Sequence, residues 1–175
     1  MKNVLIVVDM QVDFVTGALG SDAARAIVPR VSAKISEYKK RGDLIIFTRD
    51  THRKDYLQTQ EGKNLPVEHC ILGTEGWKIY GELDTGCKGH YYATKNTFGW
   101  LNWGEFIKNN NVIENIELSG LCTDVCVVSN ALILKAMYPE NKITVDAQCC
   151  AGVTEESHRA ALLTMKMCQI NIINE

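Results

Sequence analysis

From Asn3 to Val8 every residue after the first is apolar, and most are β-branched. A strand with one face in water alternates apolar and polar residues, so an unbroken run of this kind fits a strand covered on both faces of a parallel sheet. Such a strand requires helices above and below it, and the rest of the chain has the matching alternation. Ile27, Val31 and Ile35 recur at helical spacing within residues 23–41, and Gly42 stops that helix. Further strands are predicted at Leu44–Thr48, His90–Thr94, Ile116–Ser119, Ile143–Val145 and Asn171–Ile173, with Ile79–Leu83 as a short strand or turn. Helices are predicted at 104–109, from Thr123 onward, and at 155–167. This order implies an α/β fold: three layers, a mainly parallel sheet of about six strands with helices on both faces, and right-handed crossovers.

At 175 residues the chain reads as one domain, 1–175, long enough to bury a substantial core. Net charge is only −2 and the Lys and Arg residues are scattered, which disfavours nucleic-acid and membrane partners. The first apolar run ends at Asp9, too soon for a signal or membrane segment, so a cytoplasmic setting is expected. Seven cysteines, odd in number and irregular in spacing, read as reduced thiols, and the adjacent Cys149 and Cys150 suit a buried strand end.

Polar side chains with chemistry of their own gather just past the predicted strands. Asp9 ends the first, Asp50 and His52 follow the second in R-D-T-H, Lys95 follows the third, and Cys126 lies beyond the fourth. The carboxyl ends of parallel strands are where open α/β sheets bind ligands. Thr123 is expected to cap the helix it opens, with Cys126 at the third helical position, where unpaired amides and the helix dipole favour thiolate. A carboxylate can take the thiol proton and return it to a leaving group, a part that Asp9 suits, and a buried Lys95 would hold that carboxylate ionised. Each has an ordinary reading too: Cys126 as a core cysteine, Asp9 as a loop cap, Lys95 as a snorkelling side chain.

Asp50, His52 and His69, with Glu61 between them, form a mixed nitrogen and oxygen ligand set on what reads as a polar loop through residue 69. Zinc is the first expectation for such a set, with manganese, iron or nickel as alternatives. The bland alternative is a loop whose histidines bond to backbone.

Together V-V-D-M-Q-V-D-F, R-D-T-H, L-P-V-E-H-C, K-N-T-F and G-L-C-T-D-V-C-V, in that order and across nearly the whole chain, resemble the isochorismatase-like cysteine hydrolases, and among them the nicotinamidases. The resemblance implies a Rossmann-like topology and a catalytic triad of Asp9, Lys95 and Cys126. It also implies metal ligands Asp50, His52 and His69 with Glu61 as an additional one. A cis peptide at Leu121–Cys122 and an oxyanion hole from the amides of Cys122 and Cys126 follow by the same likeness. Phe14 resembles an aromatic that packs on a substrate ring, and Phe98, Trp100 and Leu121 are further candidates for the pocket. Pro66 stands where many nicotinamidases carry tryptophan. The implied activity is hydrolysis of a small carboxamide, nicotinamide first, through a thioester on Cys126, by a homo-oligomer. An isochorismatase, an amidase for another small amide, and a non-catalytic metal or thiol sensor are the alternatives.

Overall fold

A computed structural model describes residues 2–81, 83–84, 90–108 and 113–175. The elements run β1 Lys2–Val8, α1 Val12–Val15, α2 Asp22–Arg41, β2 Leu44–Asp50, α3 Gln60–Asn64, β3 His90–Lys95, α4 Trp103–Lys108 and β4 Ile113–Leu121. A π-helical turn, Thr123–Val127, then leads into α5 Val128–Met137, followed by β5 Lys142–Ala151, α6 Glu155–Met167 and β6 Asn171–Ile173. Among the described residues six strands make one sheet in the order β3-β2-β1-β4-β5-β6, and every pairing is parallel. The expected fold class is the one observed.

β1 shows why its sequence is apolar throughout. Val4, Ile6 and Val8 face a core shared with α4, α5 and α6, while Leu5 and Val7 face a second core under α2. Each such side chain, fully buried, contributes roughly 1.5–3 kcal/mol. α2 starts where Ser21 accepts the Ala24 amide at 3.0 Å and stops at Gly42, whose φ of 71° is left-handed.

Sequence-derived boundaries were tight where a helix had clear end signals and short where a strand ended in small or polar residues. α6 and β6 match the expected spans, whereas β4 continues past Ser119 to Leu121 and β5 past Val145 to Ala151. The extension is a second stretch of pairing, Gly120 with Cys150 and Leu121 with Ala151. Gly120 has φ 120°, and a Cβ there would fall 2.1 Å from the Val8 carbonyl oxygen, so only glycine lets β4 lie this close to β1. Cys149 and Cys150 sit at this buried strand end, one in each core, as free thiols. In the stretch expected as a short strand or turn, Ile79 makes an isolated antiparallel bridge to Gln11, and residue 82 lies outside the described residues. α4 begins at Trp103, and residue 109 of the expected helix lies outside the described residues.

Two expectations need correction. The polar stretch before His69 contains a 3-10 turn, Tyr56–Gln58, and α3, with Tyr56 fully buried. Thr59 nucleates α3 by accepting the Gly62 amide at 3.0 Å. Thr123 is not a cap: Cys122 holds that position without a side-chain bond, and Cys126 is therefore the fourth helical residue. The Thr123 hydroxyl instead meets Nδ1 of His158 on α6 at 2.8 Å.

α2 is fastened to the sheet by an ion cluster. Lys34 reaches both Glu117 on β4 and, at 2.7 Å, Asp146 on β5, and Tyr38 donates to Glu117 at 2.7 Å. Burial alone would pull the Lys34 ammonium downward, but its bonds to the two carboxylates raise it, and the same contacts hold Asp146 below its ordinary value. Lys34→Met is expected to cost about 3 kcal/mol, because two carboxylates then share a half-dry site with no cation. Urea unfolding at pH 7 measures it; a cost no larger than for an exposed lysine would show the cluster to be inert.

Candidate active site

The strand order reverses direction between β1 and β4, and in open α/β sheets the crevice at that point is where ligands bind. Asp9 leaves β1 there. Its φ of 46° is left-handed, a conformation aspartate tolerates better than most residues, and its side chain turns into the interior with no solvent exposure. Thr48 on β2 donates to Oδ1 at 2.6 Å, and its oxygen also accepts the Asp9 amide at 3.1 Å. Lys95, the last residue of β3, brings its ammonium to 2.7 Å from Oδ2, to 3.6 Å from Asp50 Oδ1 and to 3.5 Å from the Cys126 sulfur. Three residues far apart in sequence thus meet within a few ångströms. The Cys126 thiol also meets the Asp9 carboxylate as a hydrogen-bond partner, and apart from these contacts Oδ2 has none among the described residues.

The electrostatics differ from the expectation drawn from a helix terminus. Burial, and then the Asp9 carboxylate, push the Cys126 thiol well above its usual range, against the pull of Lys95. Burial raises the Asp9 carboxyl as well, with Lys95 opposing and Asp50 adding to the rise. Burial would lower Lys95, but Asp9, Cys126 and Asp50 together raise it. These shifts favour the neutral thiol of Cys126, while the contact with Lys95 favours the ionised form of Asp9. Such a thiol needs a base in contact to become nucleophilic. Burial pushes the Cys122 thiol up to about 12 as well, and it is Cys126 that the Lys95 ammonium approaches, at 3.5 Å.

Beside this group lie the four candidate metal ligands. Asp50, His52, Glu61 and His69 each offer one donor atom, and all four atoms fall within 4.8 Å of one another. His52 Nε2 is 2.9 Å from Asp50 Oδ2 and 3.6 Å from Glu61 Oε1, and His69 Nε2 is 3.6 and 3.8 Å from the same two oxygens. His69 Nδ1 lies 2.8 Å from the Val67 carbonyl, which can only accept; Nδ1 therefore carries the proton and Nε2 presents its lone pair inward. Two carboxylates and two imidazoles so arranged fit a borderline divalent ion.

The supports of this cluster were not found from the sequence. Gln11 accepts the Asp50 amide at 2.7 Å and donates to the carbonyls of Asp50 at 2.8 Å and Trp77 at 2.9 Å. Asp13 accepts the Cys70 amide at 2.8 Å, fixing the residue after His69, which is itself left-handed with φ 48°. The Tyr56 ring lies 4.6 Å from that of His52 and 5.0 Å from that of His69. Glutamine and aspartate at alternate positions after Asp9 were the available signal, but what they hold depends on residues 39 to 66 positions away.

Phe14 places its ring 5.4 Å from that of His69 and packs against the core that contains Leu121. The Leu121–Cys122 peptide is cis. The Cys122 carbonyl accepts from the amides of Val125 and Val127. Phe98 and Trp100 lie on the segment after Lys95: Phe98 is exposed, and Trp100 stacks edge-on against Trp103 at 4.7 Å rather than on the metal cluster.

Thr48 offers a direct handle on the carboxylate. Its hydroxyl bond favours the ionised form of Asp9, so Thr48→Val is expected to move the acid limb of activity to higher pH and leave the rate above that limb within about threefold. Initial rates across a pH series measure this. An unmoved limb would mean that the limb belongs to another group.

Residues 3–174 match the isochorismatase domain family. The isochorismatase family protein PncA of Bacillus subtilis is 30% identical over 173 residues, covering 93% of each chain. The nicotinamidase of Schizosaccharomyces pombe is 25% identical, with 98% of this chain and 92% of that one covered. Among solved structures, pyrazinamidase of Pyrococcus horikoshii in complex with zinc superposes with a TM-score of 0.87 at 25% identity, each chain covered in full.

Proposed function

This chain belongs to the isochorismatase family, and on that premise we propose that it is a metal-dependent cysteine amidohydrolase converting nicotinamide to nicotinate and ammonia. The observation that carries the reading is the approach of Lys95 to both Asp9 and Cys126 at the switch point, beside four metal-type donors.

In this reading Asp9 Oδ2 takes the Cys126 proton as the sulfur attacks the amide carbon. The charge moving from sulfur to the carbonyl oxygen is met by the backbone amides of Cys122 and Cys126, while Lys95 offsets charge on the sulfur and on Asp9. Collapse of the tetrahedral intermediate breaks the carbon–nitrogen bond, and Asp9 returns its proton so that ammonia leaves. Water, deprotonated by Asp9, then attacks the thioester carbon; the acid departs and the thiol is restored. A neutral resting thiol suits this cycle, because proton transfer and attack occur together only when substrate is in place.

Asp50, His52, Glu61 and His69 would hold a divalent ion, zinc in the first instance, and that ion would supply a Lewis-acid point for a ring nitrogen of the substrate. Phe14 and Leu121 would then bound the ring. Exposed Pro66 leaves one side of the site without an aromatic wall, which favours a second reading, an amidase for another small amide.

Ammonia release from nicotinamide, pyrazinamide and simple aliphatic amides, before and after chelation, tests the proposal. Turnover of the two heteroaromatic amides, lost on chelation and restored by zinc, is expected. Turnover of aliphatic amides alone, indifferent to chelator, would leave the general amidase. No helix among the described residues is long and apolar enough to cross a membrane, and a cytoplasmic setting belongs to this proposal. So does a homo-oligomer: Leu163 and Met167, one turn apart on α6, are both exposed, and a monomer in sedimentation would overturn that part.

A further inference from the structure

Asn130 lies on α5, one turn beyond Cys126, and its side chain is wholly buried. All of its hydrogen-bonding capacity is used. Oδ1 accepts from the Trp100 amide and from the Trp103 indole N–H, both at 2.9 Å, while Nδ2 donates to the carbonyls of Cys126 at 2.8 Å and Phe98 at 3.3 Å. The orientation of the carboxamide is unambiguous, because two of its partners can only donate and two can only accept.

These contacts join two pieces of the candidate site. Trp100 and Phe98 belong to the segment that leaves β3 directly after Lys95, and Cys126 belongs to the π-helical turn. The turn's carbonyls are served by side chains from the next turn: Ser129 donates to Val125 at 2.6 Å, and Asn130 to Cys126. The same segment is packed against α5 where Gly99 meets Ile133, a contact that would leave only 2.4 Å for a Cβ.

We propose that Asn130 is a positioning residue for the nucleophile: its carboxamide holds the Cys126 backbone and the segment following Lys95 in one frame, and so sets sulfur against ammonium. The inference rests on the reading of Cys126 as nucleophile. It goes beyond that reading by assigning a role to a group that touches neither the substrate nor the reacting atoms. An amide exchanging donors between the two segments transmits any shift of one to the other. A displacement of about 1 Å at the sulfur is enough to cost about 100-fold in rate.

Three variants test it, each with steady-state kinetics on nicotinamide and with the rate of iodoacetamide alkylation at Cys126, read by peptide mass against exposed Cys168 as internal reference. Asn130→Ser removes the span between the segments; kcat is expected to fall about 100-fold with KM changed less than about threefold. Asn130→Asp keeps the shape but turns a carboxylate oxygen on two carbonyls, and a larger loss of kcat is expected. Trp103→Phe keeps the bond to Cys126 and removes one donor to Oδ1, so a fall in kcat of about threefold at unchanged KM is expected. In all three the pH profile of Cys126 alkylation should shift while that of Cys168 does not.

A folded Asn130→Ser chain with kcat and Cys126 alkylation within about twofold of the unaltered protein would overturn the proposal. So would losses that merely track the unfolded fraction. If Asn130→Ser does not fold, Trp103→Phe decides, and unchanged kcat and alkylation there overturn it. If the unaltered chain releases ammonia from no amide, the functional reading has failed, and the alkylation arms alone still decide whether Asn130 positions Cys126.

Discussion

Asp9→Asn is expected to lower kcat/KM for nicotinamide by about 10⁴-fold without unfolding the chain. The size of the effect follows from the state of the thiol. Burial and the Asp9 carboxylate push the Cys126 thiol upward and favour thiol over thiolate, so the proposed reaction depends on a base in contact with it. In the proposed mechanism Asp9 is that base, and asparagine can neither take the proton nor return it to ammonia. Cys126→Ala should cost at least as much, and the double variant little more than either alone, because the two act as one unit. Ammonia release, with near-ultraviolet circular dichroism to show the fold, measures all three. An Asp9→Asn chain that keeps a tenth of the rate would end the mechanism as written. The proposed base must be ionised, so in the unaltered protein activity is expected to fall as pH drops through the raised Asp9 pKa, at a higher pH than an ordinary carboxylate would give, and initial rates across a pH series measure it.

Lys95→Met is expected to fail in a different way, through stability as well as rate. Lys95 is the cation within 4 Å of Asp9, and it also lies 3.6 Å from Asp50, so its loss leaves two buried carboxylates without it. Removing one partner of a buried ion pair costs about 3–5 kcal/mol. In the native protein the raised Lys95 pKa gives stability that is fully present below the ordinary lysine value and is lost only as pH rises through the folded one. In the variant only the Thr48 hydroxyl bond still opposes the burial that raises Asp9. Its folded pKa then stands further above the unfolded value, and the penalty, small at low pH where both states bind the proton, grows as pH rises. Urea midpoints at about pH 4.5 and pH 8 should therefore diverge from those of the unaltered protein, the larger gap being at pH 8. An equal gap at both would mean that Lys95 acts through packing rather than charge. A fall in kcat of about 10³-fold is expected alongside, from loss of the charge that faces the sulfur.

The two effects separate parts of one apparatus. In the proposed mechanism Asp9 moves the proton, and Lys95 makes it tolerable to keep a charged Asp9 in a dry interior. The same logic applies away from the site, where Lys34 holds Glu117 and Asp146, but there the cation serves only to dock α2.

Much of this was legible in the chain itself. The apolar run of β1, the helical spacing and Gly42 stop of α2, and the capped span of α6 are local signals, because a strand buried on both faces or a helix with one wet face imposes its period on neighbouring residues. Asp9, Lys95 and Cys126, like Asp50 and His52, stood out because each follows a predicted strand, and parallel strands deliver their ends to one rim, whereas Glu61 and His69 were named from a polar loop and the family resemblance. What only the tertiary structure decided was everything that depends on pairs distant in sequence. The Thr48 bond to Asp9, the grip of Gln11 on Asp50, the use of Thr123 for His158 rather than for a cap, and the four bonds of Asn130 are of this kind. So is the protonation of Cys126, where a helix start argues for thiolate and burial beside a carboxylate argues more strongly for thiol. Period and propensity act between neighbours in sequence, whereas desolvation and hydrogen-bond partnership act between neighbours in space.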